Sequence, residues 1–127
     1  LLILLLTHVL FFQITPTSVS ADDPSSRAED VEFFEKQVRP LLVKHCYECH
    51  SVKAERVEAK LFLDSRKGHL SGGDSGASIV PGDPDSSLLI EAVRYESYEM
   101  PPKGRLPDDE IETLVRWVNR RARQRRC

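Results

Sequence analysis

Hydrophobic positions along the chain fall into stretches with different periods, and each predicts a different element. The first, "LLILLLTHVLFFQITPTSVSA", is apolar with no charged residue. Its run Leu1–Ile14 is shorter than the ~20 apolar residues a spanning helix requires. Val19-Ser20-Ala21 supplies small residues of the kind found at a cleavage site, so residues 1–21 read as a secretory signal peptide. An uncleaved anchor or a buried helix is the competing reading. The stretch has neither an initiator Met nor a basic leader, so the expected start lies upstream.

Polar, turn-rich "DDPSSRAE" then predicts a linker over 22–30, ending at Asp30 as the N-cap of a helix. In "VEFFEKQVRPLLVKHC", Phe33, Phe34, Val38, Leu41 and Leu42 recur at helical spacing, with His45 extending the stripe. Pro40 interrupts it, either as a kink or near the first turn of a second helix. The charged segment "SVKAERVEAK" leads into "LFLDSRKGHLSGGDSGASIVPGDPDSS", a long loop holding five of the six glycines and anchored by Leu61, Leu63 and Leu70. Loops of this length in small domains tend to be functional or to wrap something. Asp85 or Ser86 caps a short helix, "SLLIEAVRY", that buries Leu89, Ile90 and Val93. After "ESYEMPPKGRL" a last helix covers about 108–122, with Ile111, Leu114, Val115, Trp117 and Val118 as its apolar stripe. Asp108, Asp109 and Glu110 suit its N-terminal dipole and the arginines its other end. The expected fold is all-α, three or four helices around a long glycine-rich loop that needs something to fill it.

Composition adds limits. The chain has 127 residues, room for one domain. Its net charge is −2, but six of its 18 basic residues lie from Arg116 onward and all 20 acidic residues lie before 113. An acidic body argues against nucleic-acid binding, which wants a basic face. The basic end 120–127, "RRARQRRC", reads as a solvated tail opening a linker to further domains. Three cysteines in an exported chain suggest one pairing and one left over.

The chemistry concentrates in "KHCYECHS". Cys46-Tyr47-Glu48-Cys49-His50 has the c-type haem attachment pattern C-x-x-C-H. Two thiols three residues apart on a turn reach the two vinyl groups on one porphyrin edge, and the next imidazole projects beneath the ring to the iron. A thioredoxin-like dithiol needs an α/β frame, and here a helix precedes the motif with no βαβ after it. A zinc site needs further ligands at finger-like spacing, whereas His45, His69 and Cys127 are scattered. A Cys46–Cys49 disulfide would close a small, strained ring and leave His50 without a role.

The second axial ligand is expected at Met100, the chain's one methionine, stiffened by Pro101 and Pro102. A packing methionine is the bland alternative, and His69 is the candidate for bis-histidine ligation. His45 is expected to point elsewhere, at the surface or on the propionate side. Tyr95 and Tyr98 are candidates to line the pocket, and Trp117 to pack in the core against the haem edge. The glycines in "GGDSGASIVPGDPD" suit close approach of backbone to a flat cofactor better than a phosphate cradle, since no Gly-Lys-Ser/Thr follows.

In order, "FFEKQVRPLLVKHCYECHS", "KLFLDSRKGHLSGGDSGASIVPGDPDSSLLIEAVRY" and "EMPPKGRLPDDEIETLVRWV" resemble the planctomycete cytochrome c domain over roughly 32–119. The resemblance implies a small cytochrome c-like haem domain over 31–119, at the N-terminus of a larger exported protein of the periplasm or cell surface. It implies covalent haem c on Cys46 and Cys49, His50 as proximal and Met100 as distal iron ligand, and single-electron transfer rather than catalysis. The implied partners are a redox protein or downstream domains of the same chain, with no membrane span after signal cleavage. Pro107 departs from the family pattern, where a Ser-like cap is expected, and so is expected to shift the start of the last helix by a residue. A thiol–disulfide oxidoreductase using Cys46 and Cys49, and a non-catalytic haem docking module, are the alternatives.

Overall fold

The computed structural model describes residues 23–120. Its elements are α1 (Pro24–Phe33), a π-helical turn (Phe34–Val38), α2 (Arg39–His45), α3 (Arg66–Ser71), α4 (Leu88–Arg94) and α5 (Asp108–Arg120). Because α1, the π turn and α2 run on continuously, the α-helical bodies among the described residues number four, beside one 3-10 turn at Glu58–Lys60. Among the described residues there is no strand, only two isolated bridges, Gly73 with Gly76 and Val80 with Asp83. The all-α expectation holds. The signal peptide read at 1–21 and the tail from 121, including Cys127, lie outside the described residues.

The helix that leads into the two-cysteine motif starts earlier than its polarity suggests. Pro24 opens it, a position where a missing N–H costs nothing. Asp30 is therefore not an N-cap but an interior, buried residue. It is stabilised by tertiary structure: Arg120, at the far end of α5, donates to its Oδ1 at 3.2 Å. Arg120 also stacks over the Phe33 ring at 4.4 Å, and Arg116 over the same ring at 5.4 Å. Pro40 falls in the first turn of α2, where a missing N–H is tolerated, as the second of the two sequence readings has it. The π turn joins α1 to α2 without a gap, with the Arg39 N–H donating to Phe34 O, five residues back.

Helix α5 packs on α4 and on the π turn. Ile111, Leu114, Trp117 and Val118 recur along one face of α5 and all are buried, in one core with Val38, Leu42, Ile90 and Val93. Each such aliphatic side chain contributes about 1.5–3 kcal/mol on leaving water. Trp117 sits between Phe34, 5.5 Å between ring centroids, and the edge of His69 at 5.0 Å. The Pro107 carbonyl accepts from the Ile111 N–H, and α5 begins at Asp108.

The glycine-rich segment is more ordered than its composition implies. Ser65 accepts from the Gly68 N–H and so caps α3, a single short helix that the sequence pattern hides behind Gly68. Its inward residue is His69, 2% exposed, whereas Leu70, expected as an anchor, faces out at 38%. Leu63 is buried and Leu61 packs partly against the core, as expected.

Further on, backbone bonds fasten the loop to its surroundings: Leu89 N to Ser78 O at 2.8 Å, and Gly82 N to Val118 O at 2.8 Å. Ser87, fully buried, precedes α4 in place of the expected Asp85 or Ser86. Its Oγ accepts from the Val80 N–H at 2.8 Å and donates to Asp83 O at 2.7 Å. Ser87→Ala removes the partner of that half-buried N–H, and a loss of about 0.5–1.5 kcal/mol is expected. Urea titration checks it, as a lower midpoint at unchanged slope.

Candidate functional site

The last turn of α2 winds directly into the two-cysteine motif. The N–H groups of Cys46 and Tyr47 both donate to Leu42 O, and those of Cys49 and His50 both donate to Cys46 O. Ser51 Oγ donates to Tyr47 O at 2.7 Å, and the Val52 N–H donates to Asp64 Oδ2 at 2.8 Å. This turn is one wall of a cleft of about 1000 Å3, counting its open mouth. A second wall comes from Leu88, Leu89, Ala92 and Val93 of α4 with Met100, Pro101 and Pro102. Ala59, Leu61 and the segment 73–76 form the third.

Local geometry explains how each wall is held. Tyr95 ends α4 in a left-handed conformation, and its hydroxyl donates to Pro101 O. The Met100 N–H donates to Ala92 O at 3.2 Å, and the Met100–Pro101 bond is cis. The two hydrogen bonds tie the methionine segment to α4. On the third wall, Gly73 is required by backbone rather than by cofactor: a Cβ there would stand 2.2 Å from Ala59 O. Gly76 is different, with φ +104° and nothing within 4 Å of a built Cβ, so its backbone presents a bare surface to the cleft.

Cys46, Cys49, His50 and Met100 all line this one cleft. His50 is 9% exposed, and its Nδ1 is buried without a hydrogen bond among the described residues. Burial, and secondarily the neighbouring Cys49, pushes the Cys46 thiol up to about 12. A disulfide-exchange nucleophile needs the opposite, a thiol acidified by positive surroundings. Two thiols, an imidazole and a thioether around apolar walls are soft and borderline donors of the kind haem iron and its attachment take. The residues present fit that group.

Several expected neighbours stand elsewhere. His69 does not line the cleft; it is buried beside Trp117, with Ser78 Oγ 3.4 Å from its Nδ1. Trp117 is core, as expected, but not at the cleft. Tyr98 lines the cleft and Tyr95 supports it from behind. His45, expected at the surface or on the propionate side, lines the cleft, with Nε2 2.9 Å from Glu110 Oε2. The helix carries it there because α2 continues through residue 45 before the turn begins. Leu88 and Ala92 are further lining residues that the sequence reading missed. The available signal was that "LLIEAV" is more apolar than one buried face requires.

A family model, Planctomycete cytochrome C, matches residues 46–104. The match runs from the first cysteine to just beyond Met100 and so spans all four candidate residues. The resemblance read from the sequence is borne out over 46–104; the flanking residues 32–45 and 105–119 lie outside the match. No curated protein and no solved structure matches the chain.

Proposed function

We propose that this chain, which carries a planctomycete cytochrome C domain at residues 46–104, is an exported one-electron carrier with one covalently held haem c. The observation that carries the reading is the convergence of Cys46, Cys49, His50 and Met100 on one apolar cleft. Cys46 and Cys49 would hold the haem covalently through thioethers. His50 and Met100 would hold its iron. Bound haem supplies Fe(II)/Fe(III) chemistry, which a thioether ligand biases toward higher potential.

The chain's own part is to hold and insulate. Leu61, Leu63, Leu89 and Val93 exclude water from the cleft, while Met100, 37% exposed, marks the side open to solvent. Such a mouth suits electron exchange with a redox protein or with further domains of the same chain. The proposed location is the periplasm or cell surface, in keeping with the leader-like residues 1–21. No helix among the described residues is long and apolar enough to cross a membrane.

The test is a pyridine haemochrome spectrum and a potentiometric titration of protein exported with cytochrome c maturation. A thioether-type α band and a one-electron Nernst curve are expected. Two free, alkylatable thiols in correctly exported, matured protein would sink the reading.

A further inference from the structure

Two ligand-bearing walls face each other across the cleft, and each needs its position held. The methionine segment is tied to α4 by the Met100 N–H and the Tyr95 hydroxyl, both on its own side. Beside the cleft, Lys103 Nζ lies 2.7 Å from Glu48 Oε2. Glu48 is a spacer between the two cysteines, and Lys103 comes after Met100, Pro101 and Pro102. Among the described residues this is the one hydrogen bond or ion pair joining the segment 98–104 to the two-cysteine turn.

We infer that the Glu48–Lys103 pair is a strap between the two-cysteine turn and the methionine segment, which makes both side chains positioning residues for Met100. The inference rests on Met100 being a haem ligand. Both ends of the strap are attached to stiff backbone, a hydrogen-bonded turn on one side and a double proline on the other. Closing the pair therefore fixes the distance between the walls, where the same pair between flexible segments would not. The side chains are 81% and 73% exposed, so added salt reaches and screens the pair. Its expected role is to set how readily the thioether leaves rather than to stabilise the fold.

The experiment uses matured holoprotein and follows imidazole displacing the thioether, read as loss of the weak long-wavelength thioether-to-iron band. Lys103→Glu and Glu48→Lys are each expected to raise the displacement rate about two- to five-fold, the range an exposed ion pair commands. The double charge swap is expected to restore the wild-type rate. Added NaCl should speed displacement in wild type and in the swap, and slow it in the single variants, where like charges face each other. Single variants that match wild type, or a swap that fails to restore it, overturn the strap while leaving the haem reading intact. Covalent haem without the thioether band in wild type overturns Met100 ligation and the strap with it.

Discussion

Cys46→Ala combined with Cys49→Ala is expected to yield exported protein that loses all its haem on denaturation. Haem-stained denaturing gels and the pyridine haemochrome spectrum read this directly, and the expected change is complete because no other described cysteine lines the cleft. Noncovalent haem in the native protein would still meet His50 and Met100, so native spectra alone would understate the change. Stability should fall as well. A group that binds only the folded state stabilises it by mass action, and covalent attachment removes the concentration term. Without attachment, the apolar residues along a cleft of about 1000 Å3 face water again. A lower melting temperature than matured wild type is therefore expected. Haem that survives denaturation in the double variant would refute the assignment of both cysteines.

The second large effect is expected at Met100. Met100→Ala in the matured protein should abolish the thioether-to-iron band and lower the reduction potential by on the order of 0.1–0.3 V, a fraction of the roughly 0.8 V span that axial ligands command. The matched control is His69→Ala. His69 is buried against Trp117, away from the cleft, so its loss should lower stability and leave the band and potential in place. The two variants separate the ligand sets without relying on either alone. A potential that moves with His69→Ala and not with Met100→Ala would replace His/Met ligation by bis-histidine.

What could be read along the chain was whatever depends on near neighbours. The motif Cys46 to His50 lies on one turn, so type and spacing carry its chemistry. The stripe Ile111, Leu114, Trp117 and Val118 repeats with the helical period and needs no partner to be recognised. Met100 stood out because it is the chain's one methionine and two prolines stiffen the backbone after it. The misreadings share a cause of the opposite kind. Residues 24–30 look like a linker because little in them is apolar, yet they are helical, and Arg120, 90 residues away, supplies the partner for Asp30. The loop looked unsupported because its bonds run from backbone to distant backbone, as from Gly82 to Val118, and backbone groups leave no trace in side-chain pattern.

The sequence by itself determined an all-α chain, the two-cysteine and histidine motif, and a single thioether held by prolines. Only the tertiary structure decided which residues surround them. It brought His45 to the cleft, buried His69 beside Trp117 and away from the cleft, and set Lys103 against Glu48. The physical reason is that a motif is local covalent geometry, while a cleft is formed by walls far apart in the chain whose approach is set by packing.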